Sequence, residues 1–147
     1  MSIHVAGTDP YPWPYDGCLA ASRIALVRCG WQDHWASISH DTDVVAARLA
    51  VVADAVLAVG GLVVDLRHGC ASGQSRRLPA VGSSGWNRYR VDAGALLIDA
   101  AGTDGCFGSA LESQLWALGC GRVVLGGFAA EITVDSTLRS LNDRGFE

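Results

Sequence analysis

The sequence predicts a three-layer α/β/α domain on a parallel sheet, and three observations carry that prediction. Four short apolar runs of strand length occur at residues 23–29, 62–66, 95–99 and 122–127. Stretches with helical spacing follow three of these runs. Apolar strands joined by helical crossovers form a parallel sheet covered on both faces. Crossovers of this kind are right-handed, and the sheet collects its ligands at the C-terminal ends of the strands.

The elements follow in order. Residues 1–22, with "DPYPWPYDG" at 9–17, hold too much proline for a helix or central strand. They read as an arm laid over the surface, with Trp13 and Tyr15 as anchors. Residues 23–147 form the α/β core of a single domain spanning 1–147. The first strand is "RIALVRC". In residues 41–61, Val45, Leu49, Val52, Val56 and Val59 step along one helical face. Asp41 or Thr42 can cap that helix, and Gly60-Gly61 stops it. "LVVDL" is the second strand, and residues 67–92 show no period and read as a long loop. "ALLID" is the third strand. Residues 108–121 are a helix with Ser109 and Glu112 as a capping box and Leu111, Leu115 and Leu118 on one face. "RVVLGG" is the fourth strand. The last helix, residues 131–143, carries Val134, Leu138 and Leu141.

Composition narrows the function. A chain of 147 residues buries about 68–70% of its unfolded surface, enough for a real core. A net charge of −4 leaves no basic face for nucleic acid. The doublet Arg76-Arg77 reads as a solvated loop. No apolar stretch reaches the roughly 18–20 residues of a membrane span. The N-terminus has no basic n-region and apolar core, so no signal peptide is expected. Five cysteines, Cys18, Cys29, Cys70, Cys106 and Cys120, are an odd set without C-x-x-C spacing. They suit a reduced cytoplasm better than a disulfide framework. His4, His34, His40 and His68 show no metal-ligand spacing, so no metal or cofactor is expected.

The positions to inspect lie just past the strands: residues 30–35, 67–70, 100–104 and 127–133. "IALVRCGWQDHW" has the form of a strand followed by Asp-Met-Gln-x-Asp-Phe. "IDAAGTDGCFGSALESQL" has the form of a strand, Lys-Pro, then a helix opening near Phe and Ser or Thr. In "GGFAAEITVDSTLRSLNDRGFE", Glu131, Val134, Thr137, Arg139, Asp143 and Gly145 fall in register with a glycine turn, Thr-(Thr)-Asp/Glu-x-Cys-Val, Thr-x-Arg and Asp-x-Gly-Tyr. In these stretches the chain resembles the isochorismatase-like cysteine hydrolases, and among them the biuret and ureidoacrylate amidohydrolases, over nearly all its length.

The resemblance implies strand order 3-2-1-4 and hydrolysis of amide or carbamoyl bonds by a Cys nucleophile at a helix start, an Asp base and a Lys. Carried over by position, the Asp site holds Gly30, the Lys site Ala100 and the Cys site Thr133. Gly30, Trp35, Ala100, Phe128, Ala129 and Thr133 would line the pocket. None of the three chemical groups is present, so the resemblance implies a catalytically inactive homologue, a non-catalytic subunit or regulator of a related amidohydrolase or a small-ligand binder. The alternative is a hydrolase of C–N bonds by an altered mechanism. Thr133 by itself is also an ordinary capping residue, with Glu131 complementing the helix dipole. Cys29, Cys70 and Cys106 read as small buried hydrophobes, and a His68–Cys70 dyad as a weaker possibility. The family continues past the point matching Phe146-Glu147 into further strands. That predicts an uncovered edge at residues 123–125 and a protein that is not a free monomer: a homo-oligomer or a complex with a full-length paralogue.

Overall fold

The computed structural model describes residues 23–70 and 77–147. The arm expected over residues 1–22 lies outside the described residues. The chain runs β1 (Ile24–Cys29), α1 (Asp33–Ile38), α2 (Thr42–Ala58), β2 (Leu62–His68), β3 (Leu96–Ala100), α3 (Leu111–Ala117), β4 (Arg122–Gly127) and α4 (Asp135–Asp143). The four strands form one sheet in the order β3-β2-β1-β4, with every pair parallel.

Two apolar layers hold helices to the sheet. On one face Ala25, Val27, Cys29, Val64, Leu66 and Ile98 pack with Leu111 and Leu115 of α3 and with Leu141 and Phe146. On the other, Leu26 and Val63 meet Ala53 and Val56 of α2. The central strands are buried on both faces, which is why β1 and β2 read as unbroken apolar runs.

Three helices end in the same way. Gly61 N–H donates to Val56 C=O and Gly60 N–H to Leu57 C=O, with Gly60 at φ +77. The same pair of bonds recurs from Cys120 and Gly119 after α3 and from Phe146 and Gly145 after α4. These are Schellman closures, and the left-handed residue in each is glycine. Cys120 and Phe146, one residue beyond, are buried against the core.

Several local expectations fail at the helix starts. Asp41 does not cap α2 with its side chain, and Thr42 Oγ1 donates to the carbonyls of Ala36 and Ser39 instead. Val59 falls past the helix and is exposed. The capping box of Ser109 and Glu112 is not formed as such: α3 starts at Leu111, whose N–H donates to Ser109 Oγ, while Glu112 pairs with Arg144. Leu118 and Leu138 point to solvent. The last helix starts at Asp135, after a π-turn over Ala130–Val134. β2 runs to His68, and β3 starts and ends one residue later than its apolar run. The helix α1, six residues long, was too short to show a period.

The stretch expected as loop is pinned by buried charge. Arg28 Nε donates to Asp65 Oδ1 at 2.6 Å, and both side chains are fully buried. Arg28 also pairs with Asp92, and Arg88 with Asp65, so the loop is tied down on β1 and β2. The Arg28 guanidinium lies 4.4 Å from the Trp31 ring centroid.

Replacing Leu115, fully buried between α3 and the sheet, with Ala is expected to lower the unfolding free energy by about 2–5 kcal/mol. Val51→Ala, at a position 70% exposed, should stay within about 0.5 kcal/mol. Urea unfolding of the two variants checks this.

Candidate active site

The exits of β1 and β4 meet at the C-terminal end of the sheet. Phe128 N–H donates to Cys29 C=O at 3.0 Å. Gly30 follows β1 at φ +60, and Ala129 follows β4 at φ +55. The turn at Ala129 then opens into the π-turn that carries Thr133. The strand, glycine turn and helix expected from sequence are therefore present as an elbow.

The interior of this elbow is filled. A Cβ placed on Gly30 would lie 2.8 Å from Phe128 C=O, 3.1 Å from Thr133 Oγ1 and 3.2 Å from Trp35 Cδ1. Thr133 is fully buried, and its hydroxyl donates to Phe128 C=O at 2.6 Å. The N–H groups of Ile132 and Thr133 both donate to Ala129 C=O at 2.9 Å. Ala129 N–H donates to Ser39 Oγ at 3.0 Å. An oxyanion hole needs N–H groups aimed at an open position; here these three already have acceptors.

Of the six positions carried over by resemblance, Gly30, Trp35, Phe128 and Thr133 meet around this point, and Ala129 forms the turn. Ala100 does not join them. It lies at the end of β3, in register with His68 on β2, and packs into the apolar layer with Ile98 and Leu111. An aromatic cluster backs the elbow. Trp31 stacks on Phe128 with centroids 5.0 Å apart, and Tyr89 packs edge-on against both.

Gln32, which the sequence did not single out, and His68, which it offered only as a partner for Cys70, close the floor. Gln32 Oε1 accepts from His68 N–H at 2.6 Å, and both side chains are fully buried. His68 Nδ1 lies 3.0 Å from Gly102 C=O. Since a carbonyl only accepts, Nδ1 carries the proton and Nε2 presents a lone pair. Burial lowers the His68 pKa to about 4, so the ring is neutral at pH 7. Nε2 of His68, Nε2 of Gln32 and Nε1 of Trp35 are buried without hydrogen-bond partners. The dyad with Cys70 does not form, because Nδ1 serves Gly102 and Nε2 has no partner. The buried His68 could be found in sequence only as a histidine at the end of an apolar run.

Cys29 is fully buried, whereas Cys70 and Cys106, expected as buried, are only partly so. Burial pushes the Cys29 thiol up to about 12, and burial also raises Cys106 and Cys120. Among the described residues no group of His, Cys, Asp and Glu is placed to hold a metal ion. No helix among them is long and apolar enough to cross a membrane.

His68 also sets a pH dependence. Its folded pKa lies near 4, below the ordinary value of 6.5. As pH falls from 6.5 to 4, the unfolded chain takes up a proton that the native ring refuses. Stability is therefore full above pH 6.5 and falls across that window by about 3 kcal/mol, at about 1.4 kcal/mol per pKa unit. His68→Gln should remove that part of the slope, as measured by urea unfolding at pH 7.0, 5.5 and 4.5.

The model of the isochorismatase domain matches residues 24–147. The fold is also that of solved structures at 16–21% identity. A cysteine hydrolase from Pseudomonas syringae pv. phaseolicola 1448A is 16% identical, with a TM-score of 0.77 over 86% of this chain and 69% of that one. N-carbamoylsarcosine amidase from Thermoplasma acidophilum is 20% identical, with a TM-score of 0.70 over 85% of this chain and 79% of that one. A pyrazinamidase of Pyrococcus horikoshii, solved in complex with zinc, is 21% identical, with a TM-score of 0.73 over 85% and 81%. With a domain match over nearly the whole described core and a parallel sheet in the order β3-β2-β1-β4, this chain belongs to the isochorismatase-like cysteine hydrolase family.

Proposed function

We propose that this chain is a non-hydrolysing member of the family, related to the biuret and ureidoacrylate branch, that acts as a subunit or regulator of a related amidohydrolase. The observation that carries the reading is the close approach at Gly30. A carboxylate there would have to start from a Cβ 2.8 Å from a backbone carbonyl and in a left-handed conformation. The base position is thus occupied by the fold as well as lacking a carboxylate. Thr133 offers a hydroxyl, but a hydroxyl nucleophile needs an adjacent base and an approach path. Its proton is directed at Phe128 C=O, and its oxygen has no exposed surface. The branch assignment is supported by "GGFAAEITVDSTLRSLNDRGFE", where the spacing of that branch is kept.

One observation favours a second reading, hydrolysis of C–N bonds by an altered mechanism. His68 Nε2 is a neutral, buried, unpartnered lone pair at the end of β2. A base of this kind could activate water instead of a side chain.

Steady-state hydrolysis of a panel of ureas, carbamoyl compounds and primary amides separates the two. The expected result is no turnover above the uncatalysed rate. Turnover abolished by Thr133→Ala would overturn the first reading outright, and turnover abolished by His68→Gln while Thr133→Ala retained it would establish the second. The combined replacement Gly30→Asp, Ala100→Lys, Thr133→Cys should recover little activity. Gly30→Asp alone should cost about 1–3 kcal/mol of stability, because it places a side chain in a strained and occupied position. Thermal unfolding of that variant measures the cost.

A further inference from the structure

Between β2 and β3 the chain lies as a strap across the strand ends, and two glycines bracket it. Gly82 and Gly94 stand in exposed turns with φ of +82 and +86. A Cβ on Gly82 would meet nothing within 4 Å, and one on Gly94 would meet only Leu57, at 3.7 Å. Neither glycine makes room for a neighbour, so the backbone at both turns can swing without a clash.

The bonds that hold the strap fall between these turns. Asp33 N–H donates to Asn87 C=O at 3.0 Å, and Tyr89 N–H donates to Trp31 C=O at 3.1 Å. Trp31 Nε1 donates to Arg90 C=O at 3.1 Å. Trp86 sits over Gly69, where a Cβ would lie 2.0 Å from its ring. Ahead of Gly82 a separate bond, from Cys70 N–H to Pro79 C=O at 3.1 Å, ties the chain down just past β2.

The charges divide evenly. The strap carries Arg88 and Asp92, one of each sign, and the floor carries Arg28 and Asp65. If the strap leaves, Arg28 and Asp65 still neutralise each other, and no lone charge is left buried. Closure also has an unfavourable side. Gln32 and Arg88 form the antiparallel bridge that joins strap to floor, yet Gln32 Nε2 and Arg88 Nε are both buried without a hydrogen-bond partner. A buried donor left unpaired has given up its bond to water.

We propose that residues 83–93 form a lid that swings as one unit about Gly82 and Gly94, latched by the Arg28–Asp92 and Arg88–Asp65 pairs. Opening lifts Tyr89 from Trp31 and Phe128, carries Trp86 off Gly69, and lets water reach Gln32 and Arg88. It admits small molecules to the aromatic side of the elbow, and closure shuts them out. The inference concerns access to the elbow and is independent of whether the elbow hydrolyses anything.

Amide hydrogen exchange of the isotopically labelled full chain tests the lid. The Asp33 and Tyr89 amides, which bond across the seam, should open with one common equilibrium constant and exchange faster than Val64 in the sheet centre. Leu115→Ala, which weakens the core and leaves the latch intact, should speed Val64 by about thirtyfold or more and leave Asp33 and Tyr89 unchanged. Asp92→Asn keeps Asp65 opposite Arg28 and should speed Asp33 and Tyr89 together by about tenfold, with Cys70 unchanged. Asp33 and Tyr89 exchanging only at the Val64 rate, and following it in Leu115→Ala, would overturn the lid, because the strap would then open only with the whole domain. Unequal responses of Asp33 and Tyr89 to Asp92→Asn would also overturn it, as fraying from one end. An equal response at Cys70 would rule out the hinge at Gly82.

Discussion

The exits of β1 and β4 approach each other so closely that there is no room for a side chain between them. A Cβ on Gly127 would lie 1.9 Å from Cys29 C=O, closer than any packing adjustment can absorb. Gly127 makes the approach possible, and the bond from Phe128 N–H to Cys29 C=O holds it. Everything at the elbow follows from this contact. It brings Phe128 C=O against Gly30, turns the chain at Ala129, and delivers Thr133 beneath the same carbonyl. A hydroxyl at that position satisfies a buried acceptor and so stabilises the turn, at about 0.5–1.5 kcal/mol for an ordinary hydrogen bond.

A second constraint acts from the opposite side. Arg28 is a fully buried charge near the C-terminal end of β1, which an apolar layer alone would not tolerate. Asp65 on β2 and Asp92 on the loop neutralise it, and Arg88 binds the same Asp65. Breaking such a group by removing one member costs about 3–5 kcal/mol. The loop is thereby held over the strand ends, where Tyr89 packs on Trp31 and Phe128. The aromatic cluster and the ion-pair group together fix the loop against the elbow.

The interior of the site is accordingly polar but closed. Gln32, His68 and Trp35 each keep a buried nitrogen without a partner, while the N–H groups of Ala129, Ile132 and Thr133 at the elbow are taken. A site organised for acyl transfer keeps backbone donors open toward the place where the oxyanion forms.

The sequence by itself determined the sheet, its parallel sense and the two helical layers. Apolar runs separated by helical periods allow few other arrangements, and residues such as Val64, Leu115 and Gly60 each announce their role within a few neighbours. Glycine at a helix end was legible for the same reason, since the Schellman closure is local. What the sequence could not show depends on pairs far apart in the chain. Gly30 touches Thr133, Arg28 binds Asp65 and Asp92, and Gln32 holds His68. At the start of α2 one local option displaced another, with Thr42 donating to the carbonyls of Ala36 and Ser39, whereas the Glu112 half of the α3 capping box was lost to a distant partner, Arg144. Position matching could name the occupants of the elbow, but only the folded backbone decided that no space was left there, because that space is set by two strands 98 residues apart, at Cys29 and Gly127.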